Sequence, residues 1–240
     1  VSKFLSLFQA AILALLLAMP GCTDAAPRDG GRGDADPGQG GFTFFMPPDE
    51  ERRVTREEHP KILARFGGAY EDPQFTAYVA GIGAKLARAA GGLNHEIRVT
   101  VLNSPVVNAF ALPGGYVYIT RGLAALANNE AELASVLAHE IGHVAARHTA
   151  ERYSQAVALS LGAAALGALF DNPAFGQVAE IGGELYLLSF SRDQEFGADS
   201  LSVRYLAQAG YPPIASAAFL ESLSAHSALE DEIAGEPGGE

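Results

Sequence analysis

Apolar positions recur every three to four residues through several stretches of the chain, and at every second residue in a short central block. The first pattern marks helices buried along one side, and the second marks half-buried strands. Helical spacing runs from Val54 to Phe66 and from Pro73 to Ala90, the latter with Phe75, Tyr78, Val79, Ile82 and Leu86 on one face. Gly91-Gly92 supplies a stop, because glycine enters the left-handed conformation of a helix end at little cost. Gly81-Ile82-Gly83-Ala84 lies inside that helical pattern with no strand before it, so it is not a nucleotide-binding loop. Ile97, Val99 and Val101 alternate with Arg98 and Thr100 in a first strand ending at Leu102. Val106 to Leu112 forms a second, Pro113-Gly114-Gly115 a turn, and Tyr116 to Thr120 a third. This is the signature of a small sheet containing a hairpin.

From Asn128 onward the pattern is helical. Asn128 or Asn129 can cap a helix running to about His148, with Glu130 and Glu132 in its first turn, where the helix dipole favours negative charge. Gln155 to Phe170 is uncharged and rich in Ala, Leu and Gly. It is too short for a confident membrane span and reads as a buried helix, with a mobile lid or membrane-facing flap as the alternative. Asp171-Asn172-Pro173 breaks it. Further helices are expected over Gln177 to Leu188, Arg192 to Ala209 and Ile214 to about Ala225. The pattern predicts an α+β domain over residues 42–229, mostly helical with a small sheet, followed by an acidic Pro/Gly linker over 230–240.

The chain opens with Lys3 and an apolar run from Phe4 to Met19, broken only by Ser6 and Gln9. A cationic start and a short apolar stretch form a secretory signal rather than a membrane helix. It extends over residues 1–22, and its end, Met19-Pro20-Gly21-Cys22, resembles a bacterial lipoprotein cleavage site with Cys22 as the lipid-bearing residue. Ordinary cleavage near Ala25-Ala26 is the alternative. Both place the protein outside the cytoplasm, and a periplasmic, membrane-anchored lipoprotein is the expectation. Residues 23–41, rich in Gly, Pro, Asp and Arg, lack the apolar matter to fold and act as a tether. Hydrophobic residues make up 48% of the chain and charged ones 18%, enough apolar matter for a core. The net charge of −12 argues against nucleic acid as a partner, since phosphate binding needs clustered Lys and Arg. A single cysteine excludes an internal disulfide or a cysteine-built metal site.

The chemistry concentrates in His139-Glu140-Ile141-Gly142-His143. Residues four apart on a helix stand one above the other, so both imidazoles project from one face and can share a metal. Glu140 lies about 100° around the axis, where a carboxylate can reach a metal-activated water without ligating the metal. Gly142 costs about 1 kcal/mol of helix propensity against alanine, which close approach of a neighbouring element would offset. Glu195 is the candidate third ligand, and Asp199, four residues on, can hydrogen-bond the outer nitrogen of a ligating imidazole. Two exposed acids on an ordinary helix are the alternative for this pair, and like charges at that spacing disfavour it unless a cation lies between them. Asp193 is expected to cap that helix. His148, about 140° around the helix from His143, is expected to cap or pack, His59 and His95 to be structural or exposed, and His226 to lie apart. Tyr116, Tyr118, Tyr153 and Tyr186 could each supply an oxyanion donor, and the sequence does not choose among them.

His139-Glu-Ile-Gly-His143 followed by Glu195-x-x-x-Asp199 resembles the M48 family of zinc metallopeptidases, including its periplasmic members. The likeness extends through Asn108-Ala-Phe-Ala-Leu-Pro-Gly-Gly115, Tyr116 to Gly122, and Asp199 to Tyr205 leading into Gly210-Tyr-Pro212. The resemblance implies a zincin-like fold with one Zn2+ held by His139, His143 and Glu195 and with Glu140 as general base. It also implies that Asn108, Ala109 and Phe110 lie on the edge strand that pairs with substrate backbone, a mode suited to extended peptides. The implied function is an envelope endopeptidase acting on unfolded or misassembled proteins. An envelope chaperone or binding module with a latent or structural zinc site is the alternative. Periplasmic members commonly carry a Thr-His-Pro histidine and helical repeats further on, and the sequence to Glu240 contains neither.

Overall fold

The computed structural model describes residues 43, 45–93, 95–170 and 189–235 of the chain, without the side chains of 163–170 and 234. The expected signal over 1–22 with Cys22, the tether over 23–41, the helix over 177–188, Tyr186 and the closing residues 236–240 lie outside the described residues. The elements run α1 (Pro48–Arg65), α2 (Pro73–Ala90), β1 (Arg98–Leu102), β2 (Ala109–Leu112), a 3-10 turn at Pro113–Gly115 and β3 (Tyr116–Thr120). They continue with α3 (Arg121–Leu126), α4 (Glu130–Ala145), α5 (His148–Phe170), α6 (Arg192–Gln208) and α7 (Ala215–Ala234). The fold is α+β and mostly helical with a small sheet, as the sequence pattern predicts, and has the zincin-like organisation that the resemblance implies.

The sheet has the order β1-β3-β2. β1 runs parallel to β3, and β2 runs antiparallel to β3 through the hairpin, with Ala109 opposite Ile119 and Leu112 opposite Tyr116. Gly114 and Gly115 both take positive φ in the connecting turn, and a Cβ on Gly115 would meet the Glu96 carbonyl at 2.4 Å. Side chains alternate across the sheet. Phe110, Leu112 and Tyr118 face α1 and pack with Ile62 and Leu102, while Ala109, Ala111, Val117 and Ile119 join the main core.

That core is centred on α4. Asn129 caps the helix by accepting from the Glu132 amide, and Leu133, Ala134, Leu137, Ala138 and Ile141 form its buried stripe. Leu137 and Ile141 are fully buried, each stabilising the fold by about 1.5–3 kcal/mol. α2 contributes Val79, Ile82 and Leu86 to the same core, α6 contributes Leu201, Tyr205 and Leu206, and α7 contributes Phe219.

The structure differs from the sequence expectation in several places, among them the start of β2 at Ala109 rather than Val106 and the short helix α3. α1 begins at Pro48, because Pro at the first turn and Asp49, Glu50 and Glu51 there suit a helix start even without an apolar stripe. The helix expected to reach His148 stops at Ala145. Ala146 caps it, and Arg147 turns left-handed (φ 55°) before α5 begins at His148. The helix over Gln155–Phe170 is not buried along its described part, since Leu159 is 64% and Leu161 57% exposed. Among the described residues no helix is long and apolar enough to cross a membrane. Finally, α7 continues past Ala225 to Ala234, with Leu229 and Ile233 exposed.

Candidate active site

His139 and His143 stand on successive turns of α4, with ring planes at 74° and centroids 4.8 Å apart. α6 crosses α4 at Gly142, where a Cβ would meet the Ala198 carbonyl oxygen at 2.8 Å and the Ala198 Cα at 3.1 Å. The missing side chain therefore lets the two backbones touch. Ala198 lies between Glu195 and Asp199, so this single contact brings both acids to the imidazoles. Ser191 starts α6 with a capping box, its hydroxyl accepting from the Gln194 amide and the Gln194 side chain accepting from the Ser191 amide. The cap expected of Asp193 thus belongs to Ser191, two residues earlier, and Asp193 lies in the first turn.

The donor atoms converge. Nε2 of His139 is 3.1 Å from Nε2 of His143, and Oε2 of Glu195 is 3.3 Å from the first and 3.7 Å from the second. Ligands of a tetrahedral zinc at about 2.0–2.2 Å stand about 3.3–3.6 Å apart, so the spacing and the two-nitrogen, one-oxygen donor set fit that metal. This is the cluster among the described residues that can hold a metal ion. His226 lies outside it and faces Glu230 at 3.5 Å.

The outer nitrogens have partners too. Nδ1 of His139 lies 2.9 Å from Oδ1 of Asp199. Nδ1 of His143 lies 3.0 Å from Nδ1 of His148, a partner the spacing on a continuous helix would have kept away. The break at Arg147 reverses the chain enough to bring His148 back. An Nε2 of His143 free for a metal requires the proton on its Nδ1, which then donates to His148. Gly197 lies against this ring, where a Cβ would make an ordinary contact at 3.5 Å with Cε1 of His148. Phe190 stacks on His143 at 3.9 Å between centroids, which covers the buried imidazole with an apolar face.

Electrostatics separate the members of the site. Burial opposes a charge on His139, but the hydrogen bonds to Asp199 and Glu195 outweigh it and push its pKa up to about 10. Burial holds His143 down at about 4, against the pull of Glu195. Glu195 is resisted by burial yet held well below the usual carboxylate range by His139 and His143. Glu140, only 4% exposed, is pushed up to about 7, first by burial and further by Glu195, with His139 opposing. A carboxyl poised near neutrality is matched to moving a proton.

At the edge of the sheet, Thr120 donates its amide to the Asn108 carbonyl at 3.0 Å, and the Asn108 amide donates to Oγ1 of Thr120. Alternation along an antiparallel pair then turns the backbone groups of Ala109 and Ala111 away from β3. The Ala111 carbonyl already accepts from Thr149 at 3.5 Å. The Phe110 side chain is committed to the core, stacked on Tyr118 at 5.0 Å. The hydroxyls of Tyr116, Tyr118 and Tyr153 bond Arg98, His59 and Glu50 respectively.

Residues 73–233 match the model of peptidase family M48. The chain belongs to peptidase family M48. Membership places it among the metallopeptidases. It is similar to the β-barrel assembly-enhancing protease of Escherichia coli K12, at 34% identity over 63% of this chain and 33% of that protein. It is also similar to the mitochondrial metalloendopeptidase OMA1 of Schizosaccharomyces pombe, at 29% identity over 74% of this chain and 53% of that protein. The Arabidopsis thaliana OMA1 is 35% identical over 59% of this chain and 29% of that protein. The chain thus spans about a third of the length of the first of these relatives.

Proposed function

We propose that this chain is a zinc-dependent endopeptidase of the bacterial envelope, acting on unfolded or misassembled proteins. The convergence of Nε2 of His139, Nε2 of His143 and Oε2 of Glu195, with buried Glu140 beside them, is the observation that carries this reading. Zinc held there would supply Lewis acidity, polarising the scissile carbonyl and acidifying water. Three protein ligands leave the open position that catalytic zinc sites keep and structural ones close.

In this reading each side chain has one task. Glu140 takes the proton of the attacking water and delivers it to the leaving amine. Asp199 and His148 hold the imidazoles of His139 and His143 in register through their outer nitrogens. The outward backbone groups of Ala109 on β2 pair with an extended peptide, with Asn108 and Phe110 fixing that strand against β3. Backbone pairing reads extension rather than sequence, which suits unfolded chains. Similarity to a protein named as a β-barrel assembly-enhancing protease supports the envelope setting, together with the apolar segment Phe4 to Met19, and Cys22 shortly after it is the residue proposed to carry a lipid.

Glu140→Gln tests the assignment. Purified wild type and variant, each loaded with one equivalent of zinc, are given an unfolded protein and its native counterpart. Wild type is expected to cleave only the unfolded form, and the variant to bind zinc but lose at least about a hundredfold in rate. Equal cleavage by the two would remove Glu140 from the chemistry.

A further inference from the structure

A second polar cluster lies behind the site and is built around Glu51. This carboxylate is 2% exposed, in the first turn of α1. One oxygen pairs with Nη2 of Arg147, and the other lies 2.6 Å from Nε2 of His95. Arg147 also donates to the Met46 carbonyl at 2.8 Å. A buried charge this well partnered is rare on a helix that otherwise shows its charged residues to solvent.

The position of Arg147 gives the cluster its meaning. Arg147 is the one non-glycine residue with positive φ among the described residues, and it forms the elbow between α4 and α5. Its carbonyl accepts from the Glu151 amide at 3.0 Å, so its backbone sets where α5 starts. The next residue is His148, whose ring meets the outer nitrogen of His143. A left-handed arginine persists only where its surroundings hold it, and Glu51 with Met46 provides that hold. Glu51, His95, His143 and Arg147 border one small cavity, so latch and site are contiguous.

We propose that Glu51 is a positioning residue for the metal site: through Arg147 it fixes the α4–α5 elbow and so seats His148 against His143. The inference rests on the zinc-site reading above. It makes α1, far from the His-Glu-x-x-His segment in sequence, a part of the machinery that orders a ligand. Disturbed outer-shell partners cost about 10–100-fold in metal affinity, and the effect here is expected near the lower end, because Glu51 acts two residues removed.

The test measures zinc affinity by chelator competition on the full chain, with the cobalt-substituted absorption spectrum as a second readout of ligand geometry. Glu51→Gln is expected to bind zinc about tenfold more weakly and to shift the cobalt bands. Val54→Ala is the control, since the Val54 side chain packs with those of Met46 and Ala150 and takes no part in the Glu51–Arg147 pair. It is expected to lower thermal stability while changing zinc affinity less than about twofold. Arg147→Gly should match Glu51→Gln, and the double variant should be no worse than Arg147→Gly alone, because one residue acts through the other. If Glu51→Gln does not fold, Arg147→Gly against Val54→Ala decides by the same comparison. Wild-type affinity in Glu51→Gln or in Arg147→Gly, equal loss in Val54→Ala, or additive losses in the double variant would each overturn the proposal while leaving the zinc site standing. Failure of the wild type to bind zinc would take down both.

Discussion

Replacing Gly142 by alanine sets two effects of opposite sign against each other. Alanine gains about 1 kcal/mol of helix propensity over glycine in the interior of α4. The new Cβ, however, would stand 2.8 Å from the Ala198 carbonyl oxygen, and the neighbouring atom is backbone, not a side chain that can swing aside. Reaching an ordinary contact of 3.4 Å moves α6 outward by about 0.6 Å. Overpacking of this kind costs about 1–3 kcal/mol, so the net change is a loss of up to about 2 kcal/mol. In a chain of this size that lowers Tm by up to about 8 °C, at roughly 2–4 °C per kcal/mol. The shift also carries Glu195 and Asp199 away from the imidazoles by about three times the 0.2 Å tolerance of a metal site. Zinc affinity is therefore expected to fall at least tenfold, on the scale of disturbed outer-shell contacts. Calorimetry of the metal-free protein and chelator competition for zinc measure the two effects separately. A Gly142→Ala variant that is more stable than wild type and binds zinc equally well would refute the close-approach account.

Three further outcomes follow from other contacts. Ser191→Ala removes the cap of α6 and is expected to cost about 1 kcal/mol, seen as a fall in Tm of about 2–4 °C, whereas Asp193→Ala should leave Tm nearly unchanged. Glu130 accepts hydrogen bonds from Tyr211 at 2.6 Å and Tyr78 at 2.8 Å, which hold its carboxyl below the ordinary 4.5. A depressed carboxyl stabilises the fold above its unfolded pKa and loses that contribution as pH falls through the folded one. The Tm difference between wild type and Glu130→Gln should accordingly be present at pH 6 and shrink as pH falls below the ordinary carboxylate pKa and through the depressed one; a difference that stays constant would disprove the assignment. His148→Ala removes the partner of His143 and is expected to weaken zinc binding about tenfold, with the cobalt spectrum changed.

Where local chemistry dictates structure, the fold is legible from the residues. Alternation at Ile97–Leu102 and the Pro-Gly-Gly turn mark the sheet, and Asn129 before Glu130 marks the start of α4. The His139–His143 pair and the Glu195–Asp199 pair follow from the four-residue helical repeat, and Gly142 signals the crossing that joins them. The misses are tertiary. Nothing local announces a left-handed Arg147, because neither glycine nor proline marks the elbow, and so the approach of His148 to His143 stays hidden. Glu51 precedes the helical spacing that begins at Val54 and nothing local marks it as buried, yet it is buried beside a partner about a hundred residues away. Phe190 lies against His143 only because α6 folds back across α4. The last turns of α7 present Leu229 and Ile233 to solvent between acids, which offers no apolar face to read.

The central claim is that α6 completes an open metal site begun on α4. Zinc per chain, measured after dialysis against a fixed free zinc concentration, tests it in wild type and Glu195→Ala. The structure predicts one zinc in wild type and a small fraction of that in the variant, with helical content unchanged. Full stoichiometry in Glu195→Ala would contradict it.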